Sequence, residues 1–394
     1  MKAAVFRGPG DVRIAEVPDP APPGPGELLI RVSKAALCGT DSAEWAHGPL
    51  LARPPVVLGH EFTGEVIAAG PGAGQFPAGT RVVSGAGISC GHCAWCAAGR
   101  TNLCASYQTL GLHRDGGLAE FVVSPAAICR AVPDALDDTG AAMAQPLAVA
   151  LHAARRGKVG PGRSCVVIGA GGIGSFVIAA AAAMGANPLV AVDVDDGRLA
   201  TAAALGATAV VRGGRRPGDP EPGRPGAGDP ERGTPGPGGP EPSGTGPDAP
   251  EGSADQDGAP ENSGRQDVVA QVRAIVGGDG ADVVIEASGA PASPAAALSV
   301  VRRGGDVVIV GLQAAPRPAD LFALSVREID VHGTLAHVCG DDLGEAVAVL
   351  AGSSLAKTVL GDVIALGDLV EGGLRPLAER RARGKTIVDV RGSL

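Results

Sequence analysis

The 394-residue chain has no cluster of Lys and Arg, and its 42 acidic residues outnumber 33 basic ones, for a net charge of −9. Binding a phosphate backbone needs concentrated positive charge, so no nucleic-acid partner is expected. Long apolar runs are missing too. The longest, Phe176 to Ala186, is too short to span a bilayer. The opening stretch Met1-Lys2-Ala3-Ala4-Val5-Phe6 lacks the apolar core of a secretory signal. A soluble, cytoplasmic protein with no membrane partner is the expectation.

Residues 213–266 are poorer still, with no aliphatic side chain larger than Ala and no aromatic. Inside them Pro-Glu recurs every ten residues, at 220/221, 230/231, 240/241, 250/251 and 260/261. A stacked repeat needs apolar residues in every unit, and these have none. Gly, Pro and acidic residues do not offset the entropy of ordering by burial, so the insertion is expected to be disordered and without catalytic role. A partner-binding linker is the alternative. Loop closure costs only logarithmically more as a loop lengthens, so an ordered domain tolerates the insertion.

The rest of the chain is apolar enough to fold: 45% of all residues are hydrophobic, and the length suits two domains. Residues 1–148 are punctuated by Gly and Pro between short β-type runs, Leu28 to Val32, Glu65 to Ala68 and Glu120 to Val123, which predicts a strand-rich, partly barrel-like unit. From residue 163 the texture changes. Strands are predicted at Cys165 to Ile168, Leu189 to Val192, Thr208 to Val211, Asp282 to Ile285 and Asp306 to Val310. Helices are predicted at Ile173 to Met184 and Asp267 to Ile275. This alternation implies an α/β parallel sheet covered on both faces, closed by Ile329 to Leu335. A helix at Leu343 to Leu350 and a strand at Thr386 to Val390 follow, in a segment, 336–394, expected to return to the first domain.

Three patterns carry chemistry. Cys90, Cys93, Cys96 and Cys104 read C-x2-C-x2-C-x7-C. Four thiolates packed this closely suit tetrahedral Zn²⁺ in a closed structural site, whereas disulfides between adjacent C-x2-C pairs would be strained. Gly169-Ala170-Gly171-Gly172-Ile173-Gly174 follows a predicted strand and opens a helix, the pattern of a dinucleotide phosphate turn. Asp193 ends the next strand, 19 residues after Gly174, where a carboxylate accepts both ribose hydroxyls and repels a 2′-phosphate, favouring NAD over NADP. A plain β-turn-α unit is the bland alternative. Cys38, His60 and Glu61 offer donors of catalytic-zinc type, although alone each reads as readily as a core residue.

Taken together, C-G-T-D (from Cys38), G-H-E-F-T-G-E-V (from Gly59), the four-cysteine lobe, Q-P-L-A-V-A-L-H-A (from Gln145), G-A-G-G-I-G and D-V-V-I-E-A-S-G (from Asp282) resemble the zinc-dependent medium-chain dehydrogenases. The nearest branch is that of sorbitol and (R,R)-butanediol dehydrogenases, and only 213–266 falls outside the likeness. The resemblance implies a GroES-like catalytic domain (1–148 and 336–394) carrying the structural zinc lobe, and a doubly wound Rossmann domain at 149–335. It implies one catalytic and one structural zinc per chain, NAD as cofactor, and a homodimer or homotetramer. Cys38, His60 and Glu61 would hold the catalytic zinc, Thr40 would relay the substrate proton, and Asp41 would orient His60. Gly169, Gly171, Gly172, Ile173, Gly174, Asp193 and Arg198 would bind the cofactor.

Two positions depart from the branch. Gln145 stands where relatives carry Glu, and as a neutral zinc donor it would leave the metal more electrophilic. Ala43 replaces a relay histidine. Trp45 and His47 would border the substrate cleft. Cys129, Cys165 and Cys339 read as packing residues and His152 as a structural hydrogen-bonder; His113 is not assigned to the site. The implied reaction is reversible oxidation of a secondary alcohol, a vicinal diol or polyol, to the ketone. A sugar or aminocyclitol dehydrogenase is the first alternative, and a non-catalytic NAD-binding protein the second.

Overall fold

The computed structural model describes residues 1–214, 259–313 and 315–392. The disorder expected of 213–266 therefore falls, for 215–258, outside the described residues. The helix after it spans Ala259–Val276 and so begins eight residues before the predicted Asp267. Pro260 stands in its first turn, where a missing N–H costs nothing, so a Pro-rich stretch can still open a helix.

Strand Cys165–Ile168 is the centre of a six-stranded parallel sheet. On one side of it lie Leu189–Asp193 and then Ala209–Arg212; on the other lie Ala281–Glu286, Val301–Ile309 and Asp330–Gly333. Val167 pairs with Ala191 on one side and Ile285 on the other, and all three are fully buried. Apolar residues in succession along these strands suit a sheet covered on both faces. Helices Gly172–Ala183 and Ala144–Arg156 cover one face through Phe176, Leu147 and Leu151. The strand order reverses direction at Cys165–Ile168, and the crevice beyond the carboxyl ends of the strands there is where such sheets take ligands.

The other large sheet is built mainly from antiparallel pairs around the long strand Glu27–Ala36. Phe62–Ala69, Phe121–Pro125 and, from the far end of the chain, Lys385–Asp389 all pair with it. Phe6, Phe62, Leu28 and Ile30 fill its core. Among the described residues no helix is long and apolar enough to cross a membrane.

Candidate active site

Strand pairing brings the first donor set together. Cys38 follows strand Glu27–Ala36 and caps the N-terminus of helix Gly39–His47, while His60 and Glu61 immediately precede Phe62–Ala69. Ala35 pairs with Phe62, so residues more than twenty positions apart meet at one strand end. One ligand atom each from Cys38, His60 and Glu61 lies within 4.8 Å of the others. His60 and Glu61 are buried, as is Asp41. The Oδ2 atom of Asp41 accepts the Cys38 backbone N–H at 3.0 Å, and its Oδ1 faces His60 Nδ1 at 3.5 Å. Thr40 Oγ1 stands 3.6 Å from the Cys38 sulfur.

Asp41 Oδ1, His60 Nδ1 and Glu61 Oε2 are buried without a hydrogen-bond partner. Orphaned buried atoms are costly, and their concentration at one point marks a site built for something else. Burial lowers the His60 pKa, but Asp41, Cys38 and Glu61 outweigh it and hold the ring at about 10. The pocket thus attracts positive charge. A thiol, an imidazole and a carboxylate around it match the donors of an open zinc site, so these residues fit the metal. Gln145 is buried in the first turn of helix Ala144–Arg156.

Sequence reasoning missed Lys385. It starts the strand that pairs with the other edge of Glu27–Ala36, is 8% exposed, and places Nζ 2.5 Å from Glu61 Oε2. The contact is an ion pair without hydrogen-bond geometry, so that oxygen stays orphaned. A lysine beside Thr386-Ile387-Val388 was the only hint.

The four-cysteine lobe is local. Cys93 and Cys96 sulfurs are 3.6 Å apart and those of Cys90 and Cys96 4.0 Å, and all the cysteines are free thiols. A tetrahedron with Zn–S bonds of 2.3 Å has edges of about 3.8 Å, so the spacing suits zinc and not a disulfide. Backbone N–H groups of Ala105 and Cys96 push the Cys93 thiol down to about 6, while desolvation and the neighbouring Cys93 push Cys96 up to about 11, so the pair favours one thiolate before metal binds. Cys104 sulfur accepts the N–H groups of Cys90 and Ser106. Thiolates cradled by amides are ready metal ligands.

The glycine turn joins strand Cys165–Ile168 to helix Gly172–Ala183. Gly169 has φ +94°, and a Cβ on Gly174 would fall 1.8 Å from the Gly169 carbonyl oxygen, so neither position admits a side chain. Gly171 caps the helix; Gly172 has open space, and Ile173 packs partly on the core. Asp193 is buried, and its two oxygens accept the N–H groups of Ala170 (2.7 Å) and Asp195 (2.9 Å). It thereby fixes the glycine turn, with lone pairs to spare. Arg198 lies 3.9 Å from Asp193 and beside Gly171. Glu286, within the D-V-V-I-E-A-S-G motif, is fully buried at the end of its strand. Its Oε1 accepts from the Ser288 and Gly289 N–H groups and the Ser288 and Ser293 hydroxyls at 2.7–2.9 Å, fixing the loop that walls the crevice.

The remaining residues have ordinary places. Cys129, Cys165 and Cys339 are buried thiols pushed up to about 11, 12 and 11 by desolvation. His152 Nδ1 lies 3.2 Å from Asp342, and His113 Nδ1 accepts the Thr109 N–H within its own loop. Trp45 is half-buried under the Arg375 guanidinium, and His47 is exposed.

Fold and donor sets together define an oxidoreductase of the dehydrogenase class. A model of the alcohol dehydrogenase GroES-like domain matches residues 24–134, and one of the zinc-binding dehydrogenases matches 258–351. Sorbitol dehydrogenase of Bacillus subtilis (strain 168) is 30% identical over 338 residues, covering 84% of this chain and 81% of its own. Human sorbitol dehydrogenase is 30% identical over 355 residues, covering 89% and 85%. The crystal structure of 2R,3R-butanediol dehydrogenase from Bacillus subtilis superposes with a TM-score of 0.78 at 26% identity, covering 99% of both chains. The chain belongs to the zinc-dependent medium-chain dehydrogenases, in their polyol branch.

Proposed function

We propose that this chain carries out the zinc-dependent, NAD-linked and reversible oxidation of a vicinal diol or polyol to the ketone. The observation that carries the reading is the convergence of a thiol, an imidazole and a carboxylate, Cys38, His60 and Glu61, whose ligand atoms lie within 4.8 Å of one another. Zinc held by Cys38, His60 and Glu61, with the neutral Gln145 amide oxygen reaching it directly or through water, would supply the Lewis acidity that eases loss of the alcohol proton, and NAD would supply the hydride acceptor.

The chain's own residues do the rest. Asp41 orients the His60 ring, so that the nitrogen away from it is left for the metal. Lys385 balances the charge of Glu61 in a site nearly closed to water. The Thr40 hydroxyl, beside the Cys38 sulfur, receives the substrate proton; beyond it Ala43 offers no titrating group, so the onward path needs water. Gly171 and Gly172 leave room for a pyrophosphate at a helix N-terminus. Asp193, with Arg198 beside it, selects the unphosphorylated ribose of NAD.

The catalytic part comprises 1–148 and 336–394, and the cofactor part 149–335, interrupted by 213–266. The ladder between Lys385–Asp389 and Glu27–Ala36 supports this division. A homodimer or homotetramer is supported by the exposed apolar residues Leu321, Phe322, Val326 and Val331 beside the sheet edge Asp330–Gly333, which is unpaired among the described residues. Eight free cysteines support a reducing, cytoplasmic setting. A panel of C4–C6 diols, polyols and sugars, read by NADH absorbance, tests the reading. Turnover of vicinal diols or polyols upholds it, and oxidation of primary alcohols alone overturns it.

A further inference from the structure

A second pocket lies where the cysteine lobe meets the cofactor sheet. This cavity of about 220 Å³ is lined by Arg100, Asn102, His152, Arg156 and Thr334. None of these residues belongs to the donor set or glycine turn described above. Three separate pieces of chain meet there: the end of the lobe, the C-terminal turns of helix Ala144–Arg156, and the residues at and after the end of the edge strand Asp330–Gly333.

The hydrogen bonds of the wall leave specific groups unused. Asn102 is 2% exposed, and its Nδ2 donates to the Leu335 carbonyl at 2.8 Å, which settles the orientation of the amide. His152 Nδ1 faces Asp342, so its proton sits there and Nε2 is an acceptor, 3.4 Å from the same Asn102 Nδ2. Asn102 Oδ1 and Thr334 Oγ1 are then buried with no partner. A buried amide oxygen needs a donor, and the protein provides none. Arg156 spends only Nε, on the Gly333 carbonyl at 3.4 Å, and Arg100 lies over the Trp95 ring at 5.4 Å. Among the described residues neither guanidinium pairs with a carboxylate. Two unpaired guanidiniums fit an oxyanion of phosphate geometry, and the orphaned Asn102 oxygen fits a hydroxyl donor.

We propose that this cavity binds a small organic phosphate bearing a free hydroxyl, away from the catalytic donors. The ligand bridges the cysteine lobe and the edge of the cofactor sheet, adding to the Asn102–Leu335 hydrogen bond that already joins them. The proposal does not rest on alcohol oxidation. Calorimetric titration of the full-length, metal-loaded chain with glycerol 2-phosphate, whose two hydroxyls are not vicinal, without NAD or a substrate alcohol, tests it. One saturable site per chain is expected, with inorganic phosphate at least about 10-fold weaker because it fills less of the cavity and lacks the carbon-borne hydroxyl. Arg156→Gln and Arg100→Gln should each weaken glycerol 2-phosphate by about 10-fold or more, while His60→Ala leaves it unchanged. Should either arginine variant fail to fold, Thr334→Val serves in its place, with several-fold weaker binding expected. Absence of saturable binding, equal affinity for inorganic phosphate, wild-type affinity in the variants, or loss of binding in His60→Ala would each overturn the proposal.

Discussion

The cysteine lobe draws every donor from residues 90–104, whereas the Cys38 set takes its donors from two strand ends and its counter-charge, Lys385, from a third. In the lobe, sulfurs already stand at zinc-tetrahedral distances, three of the four cysteines are partly exposed, and backbone amides steady the Cys93 thiolate. At Cys38, His60 and Glu61 the donors are mostly buried, fewer, and surrounded by unsatisfied atoms. On the proposed reading, the closed set of four soft donors holds the fold and the open, largely buried set of three serves the reaction. Two buried histidines repeat the lesson. His60, ringed by Asp41, Cys38 and Glu61, is held at about 10, while His337, whose ring nitrogens find no partner, is pushed by burial down to about 4. Both rings are buried, so it is neighbouring charge that sets the two apart.

The comparison breaks first at His60. His60→Ala should lower kcat/KM by about 1000-fold or more, since the metal's charge stabilisation is worth several kcal/mol, while the melting temperature moves little. Cys96→Ser should do the reverse. It should release the lobe's metal and lower the melting temperature by several degrees, with turnover per folded molecule nearly kept. Full metal content and an unchanged melting curve in Cys96→Ser would remove the lobe's structural role.

Asp193→Ser removes both the ribose acceptor and the anchor of the Ala170 N–H. The kcat/KM for NAD should fall about 10- to 100-fold, with preference moving toward NADP. Unaltered NAD selectivity would refute the assignment.

His337 gives a pH test of the histidine contrast. Its folded pKa lies below the ordinary 6.5, so between about 4 and 6.5 the unfolded chain holds a proton that the folded chain lacks. Stability should fall as pH drops through that window and be flat just above it. Denaturant melts across pH 4.5–7.5 should show this slope, and His337→Phe should flatten it. A slope that persists in the variant assigns the effect to other groups.

The smallest effect is expected from deleting residues 215–258. They contain no aliphatic side chain larger than Ala, and a shorter loop closes at slightly lower entropic cost, so kcat should be unchanged and stability equal or marginally higher. A large fall in kcat would show that the insertion reaches the site.

The sequence made local features plain and tertiary ones obscure. Cys90 to Cys104 and the Gly169 turn are read from spacing alone because their geometry closes within one loop. Strand Cys165–Ile168 matches its predicted bounds because an apolar run between Gly-rich turns has few alternatives. The Cys38 set needed the resemblance, since the Ala35–Phe62 pairing that joins it is invisible in one dimension. Lys385 was missed for the same reason, being brought to Glu61 by a strand from the end of the chain. The early start of Ala259–Val276 was hidden by a composition that signals only disorder.

The central claim is that one closed and one open metal site stand on the same chain and act independently. Zinc stoichiometry of the wild type, Cys96→Ser and His60→Ala, measured by native mass spectrometry, tests it most directly. The account predicts two zinc ions in the wild type and one in each variant, with turnover kept by Cys96→Ser and lost by His60→Ala. A single zinc in the wild type, or loss of both ions in either variant, would contradict it.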